Sequence, residues 1–175
     1  MGRLKVIEEE NIHFGGQNNK MPNLKKLERK QNIEIFCDGT GIPTRESCYC
    51  VIVSSSGNYS RKNVYLETKV FPERFEVNKI ESLGLIRALE IANNMKKNKK
   101  IKVFTDRLIL ADQIKKDKFI NKDFETKVKA LLRDNIIVAW VRRDKNVAGW
   151  YLESRNKKLK KYFNGRFQKN GKIRN

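Results

Sequence analysis

The apolar positions of this chain change period along its length. Ile33-Glu34-Ile35-Phe36-Cys37 is a short strand-like run, and residues 48–55 form a second. Ser54-Ser55-Ser56-Gly57-Asn58 supplies the turn that closes it. Over 61–70, Val64, Leu66, Thr68 and Val70 share one face at the period of a strand. The period then becomes helical. From about 79 to 95, positions 81, 84, 85, 88, 89 and 92 lie on one side, and all but the leading Glu81 are small or apolar. Ile80, Leu83 and Ile86 widen that stripe, so the helix is expected to be largely buried. Gly84 in its interior costs about 1 kcal/mol relative to Ala, which predicts a close approach to the sheet.

A strand follows at about 101–105, a short helix at 108–115, and a helix at 122–133 with Phe124, Val128, Leu131 and Leu132 inward. Ile136-Ile137-Val138-Ala139-Trp140-Val141 is unbroken, the pattern of a strand covered on both faces. Trp140 is accordingly assigned to the core. A last helix begins near 147, with Leu152, Leu159 and Phe163 at helical spacing, and Trp150 and Tyr151 are expected to pack it. The order β-β-β-α-β-α-α-β-α implies an α/β fold: a five-stranded mixed sheet, an antiparallel meander extended by parallel strands, with helices on both faces. It is assigned to residues 32–163. Residues 1–31 are a basic extension with a short helix near 22–30, and residues 164–175 a basic tail.

Composition narrows the function. A net charge of +19 on 175 residues points to nucleic acid as partner. No apolar run approaches the roughly 20 residues of a membrane helix, and no amphipathic anchor accompanies the charge. Nor is there a secretory h-region, and Glu8-Glu9-Glu10 argues against a transit peptide. Cys37, Cys48 and Cys50 are odd in number and remote from His13, the one histidine. They are read as buried free thiols, which places the chain in a reducing cytoplasm.

Three acids change the picture further. Asp38 ends the first strand, Glu81 leads the long helix stripe and Asp106 ends the strand at 101–105. Singly, Asp38 reads as a turn acid, Glu81 as an acid favoured by a helix N-terminus, and Asp106 as an N-cap. Together, two strand ends and a helix start can converge at one edge of a sheet. Such carboxylates repel one another unless cations sit among them, which suggests a divalent-metal site. Metal-holding acids in a basic chain suggest chemistry on a phosphodiester backbone.

Four stretches in this order resemble the ribonuclease H family. They are Asp38-Gly39-Thr40; Asn78 with Glu81 through Ala92; Thr105-Asp106 through Ile114; and Trp140-Val141-Arg142-Arg143-Asp144-Lys145-Asn146. The resemblance covers about 32–160. It implies hydrolysis of the RNA strand of RNA–DNA hybrids with two Mg²⁺ ions, Mn²⁺ being the alternative. Asp38 would bridge both ions, and Glu81 and Asp106 would hold the one that activates water. It also implies that Thr40 and Asn78 contact the minor groove, where the 2′-hydroxyl identifies RNA; an N-cap is the alternative for Asn78. Arg107, Arg143 and Asn146 are read as further nucleic-acid contacts, and stacking on nucleic acid is the alternative to packing for Trp150 and Tyr151.

The pattern departs from the family where a fourth acid is expected, four residues after Asn146: that position is Trp150. Glu153 and Asp144 are the substitutes to inspect. Arg107 stands where a Ser is usual, either lowering the Asp106 pKa or occupying the metal site by ion pairing. The short connection before the fifth strand leaves no room for the basic protrusion of some members. Arg155, Lys157, Lys158, Lys160, Lys161 and Arg166 are expected to supply that handle through phosphate contacts. Three functions remain open: a nuclease acting on hybrid or structured RNA, a catalytically weakened binding or structural subunit of a larger nucleoprotein assembly, and, disfavoured by the Thr-Asp and Trp-Val-x-Arg-x-x-Asn motifs, a different nuclease or recombinase such as a resolvase.

Overall fold

The structure, a computed structural model, describes residues 24–27, 32–41, 46–55, 59, 64–155 and 157. Its strands are β1 (Asn32–Gly41), β2 (Ser47–Ser54), β3 (Val64–Phe71), β4 (Lys100–Thr105) and β5 (Ile136–Trp140). Its helices are α1 (Leu24–Leu27), α2 (Val77–Asn94), α3 (Leu108–Lys116), α4 (Lys122–Leu131) and α5 (147–155), with a 3₁₀ turn at Arg143–Lys145 before α5. The strands form one mixed sheet in the order β3-β2-β1-β4-β5. β1, β2 and β3 pair antiparallel, while β1, β4 and β5 run parallel. The first three follow one another without an intervening helix, α2 leads from β3 to β4, and α3 and α4 join the parallel β4 and β5.

Alternation along β1 divides the core. Ile33, Ile35 and Cys37 face one layer with α2 and α4, packing on Leu85, Leu89, Phe124 and Val128. Phe36 faces the other layer, with Cys48, Cys50, Ile52, Val147, Ala148 and Leu152 of α5. All three thiols are buried and free. Fully burying one such leucine contributes about 1.5–3 kcal/mol, so α2 is held chiefly by its apolar stripe. Its C-terminal carbonyls are covered as well: Arg133 Nη2 donates to Ala92 O (2.9 Å) and Met95 O (3.1 Å).

Gly84 behaves as its position predicted. A Cβ there would stand 3.2 Å from Tyr49 Cβ and 3.4 Å from Asp38 O, so α2 lies directly on β1 and β2. Gly39 brings the same helix closer still. A Cβ on it would meet Ile80 C at 2.7 Å and Glu81 N at 2.8 Å. The missing side chain is what lets the first turns of α2 reach the end of β1.

Two expectations about burial are corrected. β5 is an edge strand, and only Ile136 on it is buried; Ile137 is 55% exposed. α5 packs over β1 and β2, and among the described residues no β5 side chain joins its cluster, so an unbroken apolar run here lines an edge. Trp140, at the strand's end on the opposite face beside Thr105, is not core either: it is 46% exposed. Leu132 does not face inward either. α4 ends at Leu131, and Leu132 turns extended at its C-cap, out of the helical register that would have buried it.

Candidate metal centre

Asp38 projects from β1 on the α5 side of the sheet. Glu81 comes from the second turn of α2, admitted by Gly39, and Asp106 immediately follows β4. One oxygen of each lies within 4.8 Å of the others. Parallel pairing of β1 with β4 sets the first and third side by side, since Cys37 is opposite Thr105.

The environment opposes ionisation. Asp38 is buried, and burial, followed by the charge of Asp106, pushes its pKa up to about 7. Glu81 is pushed to about 8 by burial, then by Asp38 and Asp106. One hydrogen bond acts the other way: Gly39 N donates to Asp38 Oδ1 at 2.8 Å. Arg143 lowers both pKa values by its charge, and Arg107 lowers that of Glu81. Glu81 Oε2 is buried and has no hydrogen-bond partner. A buried acceptor left without a donor costs about 1–3 kcal/mol, more if charged. Hard oxygens, mutual repulsion and an orphaned acceptor together fit a divalent cation; Asp38, Glu81 and Asp106 could hold it.

Asn146 is the corrected assignment with most consequence. It is completely buried, so it is no nucleic-acid contact. Its Nδ2 donates to Asp106 Oδ1 (2.9 Å) and to Cys37 O (3.0 Å), and its Oδ1 accepts from Ala148 N (3.2 Å). One amide thus ties β1, the end of β4 and the start of α5, and aims Asp106. Asp106 is not an N-cap; that place belongs to Arg107, which makes no side-chain cap. Asn78 is not a cap either, since α2 is capped at Glu76. Instead Asn78 Oδ1 accepts from Arg107 Nη2, while Arg107 N donates to Thr105 Oγ1 (3.1 Å). Arg107 Nε is buried without a partner. Thr40 is half-buried on β1 opposite Cys48, and Arg143 is exposed on the 3₁₀ turn.

Neither substitute acid joins the three. Asp144 is exposed and held by Arg142 Nε (2.9 Å) and Nη2 (3.0 Å). Glu153 is exposed on α5, 4.0 Å from Arg143 Nε; its charge reaches Asp38 and raises its pKa slightly. Trp150, at the expected acid position, is 47% exposed and donates from Nε1 to Asp144 O (3.1 Å). The α5 residue against the site is Gly149, where a Cβ would stand 3.0 Å from Asp38 Oδ2. Nothing in the local pattern announced Gly149; Gly39 was signalled by its place after Asp38.

Part of the basic handle is also corrected. Arg155 is only 5% exposed, turned into the protein near Cys48 rather than outward. Lys157 is exposed. Lys158, Lys160, Lys161 and Arg166 lie outside the described residues.

The sheet order, the crossovers and this acidic edge define an α/β protein with the ribonuclease H-like fold. Among solved structures, the N-terminal RNase H domain of a Mycobacterium tuberculosis protein is 20% identical, with a TM-score of 0.53, over 67% of this chain and 86% of that one. The RNase H1 of the archaeon Halobacterium salinarum is 18% identical at 0.53, over 67% and 90%. LC11-RNase H1, isolated from compost, is 19% identical at 0.54, over 70% and 92%; it has also been solved with an RNA/DNA hybrid, and that structure is 17% identical at 0.52, over 65% and 88%. No protein-family profile and no curated protein matches the sequence.

Proposed function

We propose that this chain is a metal-dependent nuclease of the ribonuclease H type, acting on the RNA strand of RNA–DNA hybrids with Mg²⁺ or Mn²⁺. The observation that carries the reading is the buried acidic group with an unpartnered Glu81 oxygen. Without a cation, these groups oppose one another's ionisation. The hybrid bound by LC11-RNase H1 supports the choice of nucleic acid.

Asp38, Glu81 and Asp106 would hold the ions. When bound, divalent ions supply an activated water and stabilise the leaving oxygen of the phosphodiester. The protein's own residues prepare that chemistry. Asn146 fixes the Asp106 carboxylate, Gly39 admits Glu81, and Gly149, lacking a side chain, lets α5 pack against Asp38. Arg107 and Arg143 place positive charge beside the acids, where it attracts a phosphate without reading sequence. Lys157, with Lys158, Lys160, Lys161 and Arg166, extends that attraction along the backbone. Among the described residues no helix is long and apolar enough to cross a membrane.

The second reading is a binding or structural subunit of a nucleoprotein assembly with weakened catalysis. It is favoured by Trp150 and Gly149, which leave no α5 carboxylate in the acidic group. The two separate in one assay. Labelled RNA–DNA hybrid, double-stranded RNA, and duplex and single-stranded DNA are incubated with Mg²⁺ or Mn²⁺, with Asp106→Asn as control. Hybrid cleavage that the variant loses is expected. Tight binding without cleavage under either metal would overturn the nuclease reading in favour of the second.

A further inference from the structure

We propose that the turn between α2 and β4, which carries Lys96, Lys97, Lys99 and Lys100, is a second binding surface for the phosphate backbone of nucleic acid, at the end of the sheet remote from the acids. The chain would then hold nucleic acid at two poles. The proposal rests on the nucleic-acid reading above but not on cleavage.

Four of the five residues 96–100 are lysine. Lys96, Lys97 and Lys100 are exposed, and Lys99 is half-buried. Among the described residues none of the four has a carboxylate partner, although Asp134 stands exposed on the adjoining turn. Lysines elsewhere do find acids: Lys116 pairs with Asp112, Lys122 with Glu125, and Lys129 with Asp117 and Glu125. The ordinary structural duty of a cation here is to answer the carbonyl end of α2. Arg133 already performs it, through its hydrogen bonds to Ala92 O and Met95 O. The four lysines are left without an intramolecular task, and like charges this close repel one another. An external anion relieves that repulsion.

The turn is held in place by the backbone around it. Lys99 N donates to Lys96 O (3.2 Å), Asn135 Nδ2 donates to Lys99 O (2.7 Å), and Ile101 N donates to Asn135 O (2.9 Å). The lysine stems therefore start from fixed points, which lowers the cost of ordering them on a ligand.

Position makes this a separate surface. Lys100 opens β4 and Asp106 follows its end, and the six residues of that strand span about 20 Å. Along α2, Glu81 and the helix end at Asn94 are likewise about 20 Å apart, at about 1.5 Å per residue. The Debye length at physiological salt is about 8 Å. Across such a distance the lysines neither steer phosphates onto the acids nor are neutralised by them. They require an anion of their own. A lipid surface favours apolar side chains beside the cations, and the one apolar residue of 95–100, Met95, is buried. Several ammonium point charges on one short segment suit the repeated charges of a phosphodiester backbone.

Footprinting locates the contact on the wild-type chain, so it does not depend on a variant folding. Full-length protein in EDTA, at about 50 mM salt where phosphate contacts are strong, is pulsed with acetic anhydride. It is pulsed alone, with a blunt end-labelled RNA–DNA hybrid, with polyglutamate, and with vesicles containing phosphatidylserine. Mass spectrometry reads each lysine, and label anisotropy reads binding of the hybrid. The hybrid should slow acetylation of Lys96, Lys97, Lys99 and Lys100 severalfold. Changing these four together to Gln should shrink the slope of log affinity against log salt by about 3, at about 0.7–0.9 per phosphate contact. Changing Lys115, Lys122, Lys127 and Lys129 to Gln removes the same charge from α3 and α4 and should shrink it less. Equal slopes in the two variants overturn the proposal. So does a bound hybrid that leaves the four lysines at their free rate, an outcome that spares the nucleic-acid reading itself. Protection by polyglutamate or vesicles and not by the hybrid overturns it in favour of an acidic protein or a membrane. A hybrid that binds nowhere on the chain overturns both.

Discussion

Asn146 shows how a residue can be placed correctly in sequence and misread in role. Its position before the last helix suggested a surface contact, whereas its amide is buried and joins Asp106 to the Cys37 carbonyl. Asn146→Ala leaves that carbonyl without its donor and releases the Asp106 carboxylate. The expected loss is about 1–3 kcal/mol of stability and about tenfold to hundredfold in metal affinity. Thermal melting with and without Mg²⁺ measures both, and an unchanged metal-induced shift would refute the positioning role. The acids it serves make a second prediction. Asp38 and Glu81 have native pKa values of about 7 and about 8, above their ordinary values near 4. The native state therefore holds more protons than the unfolded chain in between. In EDTA, stability should be greatest below about pH 4 as far as these two groups are concerned, and fall as pH rises through about pH 8. A divalent cation should stabilise most at the high end, where the carboxylates are free to bind it. A melting temperature in EDTA that rises steadily from pH 5 to 8 would contradict this, and Asp38→Asn should flatten the slope.

At the scale of elements, glycines set the distance between α2 and the sheet. Gly39→Ala forces a Cβ to 2.7 Å of the Ile80 backbone, which cannot rotate away. It should cost about 1–3 kcal/mol by overpacking and should draw Glu81 off the site. Gly84→Ala meets Tyr49 Cβ at 3.2 Å, a contact that a few tenths of an ångström relieve, and it gains about 1 kcal/mol of helix propensity. Chemical denaturation should rank Gly39→Ala well below both wild type and Gly84→Ala; the reverse order would refute the argument. The same elements explain what was legible in the chain. Period and turn chemistry are local, so all five strands and the helices from α2 onward stand within a few residues of where the pattern put them. The three acids were legible because each stands in or next to such an element: Asp38 late in β1, Glu81 early in α2 and Asp106 just after β4. Coverage is not local. The run 136–141 reads as a buried strand because apolar periodicity reports side-chain chemistry, whereas exposure of Ile137 depends on which strands α5 covers. Gly149 was silent for the same reason: its meaning lies in the approach of α5 to Asp38, which no spacing along the chain records.

On the scale of the whole molecule, charge and site belong to different parts of the chain. The acidic edge is built from β1, α2 and β4, while residues 155–175 hold nine of the 39 Lys and Arg and no acid. Burial of Arg155 and Leu152 means that the last helix is structural through that point, so cutting the chain ahead of it would confound folding with binding. Substitution beyond it is the cleaner test. Changing Lys157, Lys158, Lys160 and Lys161 together to Gln removes four charges and leaves the core of α5 intact. Each phosphate contact contributes about 0.7–0.9 to the slope of log affinity against log salt, so the slope should shrink by about 3 if all four make contact. Such contacts carry no base information, and affinity for unrelated sequences should fall together. Cleavage measured at saturating substrate should stay near wild type, because phosphate contacts act on binding and none of the four is among the acids that would hold the ions. A salt slope unchanged by the quadruple variant would place the electrostatic footprint elsewhere, on Arg107, Arg143 and the cations of the segment between Trp140 and Trp150.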